Sequence, residues 1–133
     1  MTASTEKQYI LITGATSGIG NQLAKDYLSE NHHVYAVGRD DNALAELKSL
    51  GAETIELDLM NQEEVIEAFS KIGRVDLAVC GAGMCEYLDM PNFDSAKFMK
   101  VMSVNLGTLS HAIEGVLPKL IESKGRLVGI GSA

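Results

Sequence analysis

The chain has 133 residues, 46% of them apolar, which is enough for one substantial hydrophobic core and too little for a second. A formal net charge of −7 repels nucleic-acid backbones and anionic lipid surfaces, and no basic patch offsets it. The polar start, MTASTEKQ, lacks a signal-like apolar segment and no run is long enough to cross a bilayer, so neither a nucleic-acid nor a membrane partner is expected and the chain reads as cytoplasmic.

Short β-like apolar runs alternate with longer segments of helical period, the pattern of a parallel sheet covered by helices. The first strand is YILIT, residues 9–13, and after a glycine-rich stretch Ile19, Leu23, Ala24, Tyr27 and Leu28 recur at helical spacing. The second strand is VYAVG, 34–38. Leu44, Leu47 and Leu50 then mark a helix that Gly51 stops, and TIELD, 54–58, is the third strand. Asn61 and Glu64 resemble a capping box that opens a helix with Val65, Ile66, Phe69 and Ile72 inward and Gly73 ending it. LAVCG, 77–81, is the fourth strand. A longer helix, from about 94 to 123, carries Phe98, Met102, Leu106, Leu109, Ile113, Val116 and Leu120, with Pro118 bending its last turns. LVGIG, 127–131, closes the series as the fifth strand.

Cys80 and Cys85 read as plain buried thiols, because no Cys or His pair stands at metal-ligand spacing; no metal site or disulfide is expected. His32, His33 and His111 are scattered, and the six methionines read as core or interface filler.

The stretch LITGATSGIGNQLA, residues 11–24, places Gly14, Gly18 and Gly20 where the first strand turns into the first helix, at the carboxyl edge of the sheet. A helix N-terminus offers unpaired N–H groups and partial positive charge, and missing Cβ atoms let a pyrophosphate approach. Gly14 makes the turn, Gly18 allows the phosphate in, and Gly20 lets the helix pack on the strand. Thr16 and Ser17 add hydroxyl donors. A phosphate-bearing cofactor is expected.

The spacing Gly-x-x-x-Gly-x-Gly differs from the commonest dinucleotide fingerprint. TGATSGIG resembles instead the T-G-x-x-x-G-I-G signature of the short-chain dehydrogenases/reductases. The resemblance continues through Asp58-Leu59, CGAG at 80–83, VNLGT at 104–108 and the final GRLVGIGSA. It implies an α/β fold of the Rossmann type, a doubly wound parallel sheet of strand order 3-2-1-4-5, forming a single NAD(P)-binding domain over residues 1–133 that is truncated after the fifth strand.

The resemblance also assigns residues. Gly14, Thr16, Ser17, Gly18, Ile19 and Gly20 form the cofactor loop, Asp58 bonds the adenine, Leu59 lines its pocket, and Ala82 and Gly83 lie by the nicotinamide-side ribose. Asn105 matches the family's catalytic-site Asn, which bends the helix and holds a proton-relay water, and Ser132 matches the Ser that binds the substrate carbonyl oxygen. The family pattern N-N-A-G is broken, since Cys80 and Gly81 replace both Asn residues and remove side-chain bonds that brace the strand end. At the end of the second strand, where an acid usually holds the ribose 2′-hydroxyl of NAD, stand Gly38 and Arg39, and Arg39 can pair with a 2′-phosphate. NADP(H) is therefore expected in preference to NAD(H), and Asp40 and Asp41 are open to reading as helix caps.

The family transfers hydride between nicotinamide and a carbonyl or alcohol carbon, with a Tyr as acid/base and a Lys four residues later. None of Tyr9, Tyr27, Tyr35 and Tyr87 is followed by Lys at that distance. The chain thus reads as the cofactor-binding half of such an oxidoreductase, inactive alone; a non-catalytic dinucleotide-binding or sensing module and an interaction protein are the alternatives. The expected strand order leaves one face of strands four and five bare, so that some of Leu77, Val79, Leu127 and Ile130 point into water. Association into a homo-oligomer through that face or the long helix is expected.

Overall fold

The computed structural model describes residues 6–84 and 89–131. In chain order the elements are β1 (Tyr9–Thr13), α1 (Gly18–Ser29), β2 (His33–Gly38), α2 (Asp41–Ser49), β3 (Glu53–Glu56), α3 (Gln62–Ser70), β4 (Leu77–Cys80), a 3-10 turn (Met90–Asn92), α4 (Ser95–Ser123) and β5 (Arg126–Gly129). The strands form one parallel sheet of order β3-β2-β1-β4-β5. It is the doubly wound α/β sheet expected from the sequence.

The winding reverses after β3, and that reversal divides the core in two. Side chains alternate in direction along a strand, so β1 sends Ile10 and Ile12 to one face and Leu11 to the other. Ile10 and Ile12 pack with Ala24 of α1 and with Leu44 and Leu47 of α2. Leu11 packs with Val65 and Phe69 of α3 and with Ala112, Val116 and Leu120 of α4. β1 is therefore covered on both sides, and its carboxyl end opens between β2 and β4. In open α/β sheets that is where ligands bind.

Three helices start on side-chain caps. Asp40 accepts from the N–H groups of Asn42 and Ala43, Asn61 from Glu64, and Asp94 from Ala96 and Lys97. Asp40 is thus occupied as a cap. No helix among the described residues is long and apolar enough to cross a membrane.

Several boundaries and burials differ from expectation. β3 ends at Glu56, two residues early, because the chain turns away at Asp58; β5 begins one residue early and is exposed throughout. α3 ends before Gly73, and α4 continues through Pro118. Ile19, Leu50 and Ile66 face solvent, since each lies about a third of a helical turn off the buried stripe or at a helix end. Val79 is buried against the α1 and α2 layer and Leu77 packs on it, so the apolar exposure at the sheet's edge falls on Leu127 and Ile130.

Candidate functional site

The turn out of β1, the end of β2, the chain after β3 and the chain after β4 surround a cleft of about 570 Å³, within the usual range for small-molecule sites. Its floor is the glycine turn. Gly14, at φ +69°, lies so close to the β4 extension that a Cβ would come within 2.6 Å of the Gly81 carbonyl. A Cβ at Gly20 would strike the Gly14 carbonyl oxygen. Gly18, at φ +58°, is different, for a Cβ there meets nothing within 4 Å. Gly14, Thr16 and Ser17 line the cleft; Gly18, Ile19 and Gly20 form the first turn of α1 and are not among its lining residues.

This open space lies at the start of α1, whose N-cap, Ser17, makes no side-chain cap bond. The other α-helices are capped by Asp40, Asn61 and Asp94. The first-turn amides of α1 are thus left without a side-chain acceptor beside an opening, the arrangement that takes a phosphate.

At the end of β2, a Cβ on Gly38 would come within 2.4 Å of the Thr16 side-chain methyl, so the glycine leaves room for Thr16 beside the cleft and carries no acid there. Arg39 lines the cleft and its Nη1 stands 3.6 Å from Asp58 Oδ2. Both side chains are at least half exposed, so the pair is weak. The other Asp58 oxygen, Oδ1, accepts the Met60 N–H at 2.9 Å, and the Asp58 carbonyl accepts the Asn61 N–H at 3.0 Å. These two bonds make a tight turn that presents Asp58, Leu59 and Met60 to the cleft.

The strand end that lacks both Asn residues is braced by other groups. Buried Thr13 accepts the N–H groups of Gly81 and Ala82 on Oγ1, at 3.1 and 3.4 Å. Thr108 donates its hydroxyl to the Ala82 carbonyl at 3.3 Å. Asn105 accepts the Met84 N–H at 2.7 Å and donates to the Met84 carbonyl at 3.1 Å, engaging both ends of its amide. Ala82 and Gly83 line the cleft, and Asn105 lies directly behind Gly83. Burial pushes the Cys80 thiol up to about 11, which keeps it neutral. Ser132, Cys85 and Tyr87 lie outside the described residues.

Thr13, Met60, Met84, Lys100 and Val104 also belong to this region without having been singled out in the sequence. Thr13 carried a local signal, a hydroxyl at the carboxyl edge of the first strand. Lys100 and Val104 are one helical turn apart on α4, and only the docking of α4 brings them to the cleft.

Comparison with known proteins places the fold in a family. A family model for short chain dehydrogenases matches residues 8–133. A short-chain dehydrogenase/reductase of Pestalotiopsis microspora is 30% identical over 122 residues, covering 91% of this chain and 46% of that protein. An NADP-dependent 3-hydroxy acid dehydrogenase of Salmonella typhi is 30% identical over 132 residues, covering 92% and 53%. The crystal structure of serine dehydrogenase from Escherichia coli superposes with a TM-score of 0.84 at 26% identity, covering 94% of this chain and 62% of that one. The chain spans about half the length of the curated relatives it matches. With the family match running unbroken from β1 through the glycine turn and α4 to β5, the chain belongs to the short chain dehydrogenase family of oxidoreductases.

Proposed function

We propose that the chain is the dinucleotide-binding part of an NAD(P)(H)-dependent oxidoreductase that acts on a small carbonyl or alcohol substrate. The observation that carries this reading is the start of α1, which lacks a side-chain cap and opens at Gly18 into unfilled space beside the cleft. The amides there and the hydroxyls of Thr16 and Ser17 hold the pyrophosphate, while Asp58 and Leu59 bound the adenine. Ala82 and Gly83 border the nicotinamide-side ribose, with Asn105 toward the substrate, and the family resemblance gives Ser132 the substrate carbonyl oxygen. When bound, the nicotinamide exchanges a hydride with the substrate carbon. No tyrosine among these 133 residues is followed by lysine four positions on, so the chain by itself binds the cofactor without the proton-transfer pair that its family uses.

The cofactor is NADP(H) in preference to NAD(H). Gly38 carries no acid to repel a 2′-phosphate, Asp40 has one carboxylate oxygen turned to the α2 amides as a cap, and Arg39 has a weak, exposed pair with Asp58. A phosphate dianion competes well for a guanidinium in such an exposed pair, because the fork makes two charge-assisted bonds. The NADP dependence named for the Salmonella typhi relative is in line with this. Calorimetric titration tests it. Arg39→Ala is expected to weaken NADP(H) by about tenfold or more, the worth of a charge-assisted bond, and to leave NAD(H) nearly unchanged. Equal losses for the two would overturn the preference, and failure of the wild-type chain to bind either would overturn the reading.

A further inference from the structure

In the Asp58–Asn61 turn that borders the cleft, the Leu59 carbonyl takes no part in the turn's own hydrogen bonds. In a tight turn the outer residues bond each other and the carbonyls between them point away. Leu59 occupies such a central place and is buried, so its carbonyl needs a donor. His111, 52 residues further along the chain, supplies it: its Nδ1 stands 2.7 Å from the Leu59 oxygen. A carbonyl only accepts, so Nδ1 carries the proton.

Two further contacts join the same turn to the same side of α4. A Cβ at Gly107 would come within 3.1 Å of Met60 Sδ, so the glycine leaves a seat for that side chain. Gln62 Nε2 donates to Glu114 Oε1 at 2.6 Å. Residues 107, 111 and 114 share one face of α4 with Lys100 and Val104, which line the cleft. Of these contacts, the His111 bond alone holds the backbone of a residue that lines the cleft.

We propose that His111 is a positioning residue of the cofactor site, fixing the Leu59 carbonyl and thereby the wall against which the adenine end of the dinucleotide binds. This rests on the dinucleotide-binding reading above. His111 touches no part of the ligand, and its effect passes through the turn.

The probe is ADP-ribose, which carries the adenine end and no nicotinamide, titrated calorimetrically against this chain and its variants. His111→Leu keeps the apolar bulk and removes the donor; ADP-ribose affinity is expected to fall about threefold to tenfold, the worth of one hydrogen bond. His111→Asn places an amide N–H close to the Nδ1 position and is expected to recover most of that loss. In hydrogen exchange, the amides of Met60 and Asn61 are expected to quicken in His111→Leu while those of β1 do not. A general loss of stability would move both sets. If His111→Leu does not fold, the ¹⁵N shifts of the wild-type imidazole decide: a protonated Nδ1 in the neutral ring supports the bond, and a predominant Nε2–H tautomer overturns it. Unchanged ADP-ribose affinity in a folded His111→Leu also overturns the inference and leaves the dinucleotide reading standing. A wild-type chain that binds neither ADP-ribose nor NADP(H) removes that reading, and this inference with it.

Discussion

Within the glycine turn, Gly18 and Gly20 have separable jobs, and substitution tells them apart. A Cβ at Gly20 collides with a backbone carbonyl that no rotamer change can move, so Gly20→Ala is expected to lose about 3 kcal/mol, the upper range for overpacking. At Gly18 the added methyl meets nothing, and the left-handed backbone alone costs about 1–2 kcal/mol. Gly18→Ala is thus expected to stay folded and to lose dinucleotide affinity by about tenfold or more, since the methyl enters the phosphate's space. Denaturant unfolding set beside titration checks both, and a Gly18→Ala chain that binds like wild type would show that the phosphate lies elsewhere. Cys80 gives a pH test. Burial raises its thiol from 9.0 to about 11, so in the fold it binds its proton more tightly than in the unfolded chain. Its contribution is fully present below about 9 and is lost as pH rises to about 11. In a Cys85→Ser chain, Cys80 is expected to resist maleimide near neutral pH until denaturant is added; prompt native-state labelling would contradict a buried neutral thiol.

At the scale of elements, α4 is where the sequence was partly legible and partly not. Its extent, from about 94 to 123, and its buried Val116 and Leu120 follow from local period. The caps at Asp40 and Asn61 were legible for the same reason, since each is set within a few residues, whereas the reversal of winding followed from the family resemblance. What each side of α4 does was not legible. One side, with Thr108, Ala112 and Gly115, lies on the sheet and α3, and Gly115 is bare because a Cβ there would meet Phe69 at 2.8 Å. A second side holds the Asp58–Asn61 turn through Gly107 and His111. Asn105 and Thr108 meanwhile hold the chain after β4. These bonds join residues 21 to 52 positions apart, and period alone cannot say which side meets which neighbour. Ile66 is a local case instead. It adjoins Val65, and two adjacent helical residues 100° apart cannot both face the centre of one core. The Asn-Asn departure was legible as a loss, but its replacement by Thr13 depends on a contact 68 residues away.

For the whole molecule, two opposing surface properties decide how it behaves in solution. α4 carries a third stripe, Phe98, Met102, Leu106, Leu117 and Ile121, that faces solvent, with Leu106 58% exposed. β5 adds exposed Leu127, Val128 and Ile130, and among the described residues it pairs only with β4, which leaves its other edge without a strand partner there. Exposed apolar side chains and an unpaired edge favour association. The net charge of −7 opposes it, because two copies repel each other, and this repulsion is long-ranged and screened by salt whereas the apolar contact is not. We therefore expect the 133-residue chain to form dimers or larger assemblies whose population rises with ionic strength. Light scattering across a salt series tests this, and two variants locate the contact. Leu106→Glu is expected to dissociate assemblies built on α4, whereas Val128→Lys does so for those built on β5. If the edge strand is the contact, Leu106→Glu leaves the assembly intact. A chain that stays monomeric at high concentration and high salt, and binds no apolar dye, would mean that these surfaces are covered within the monomer and that the exposed stripe assigned to α4 is wrong.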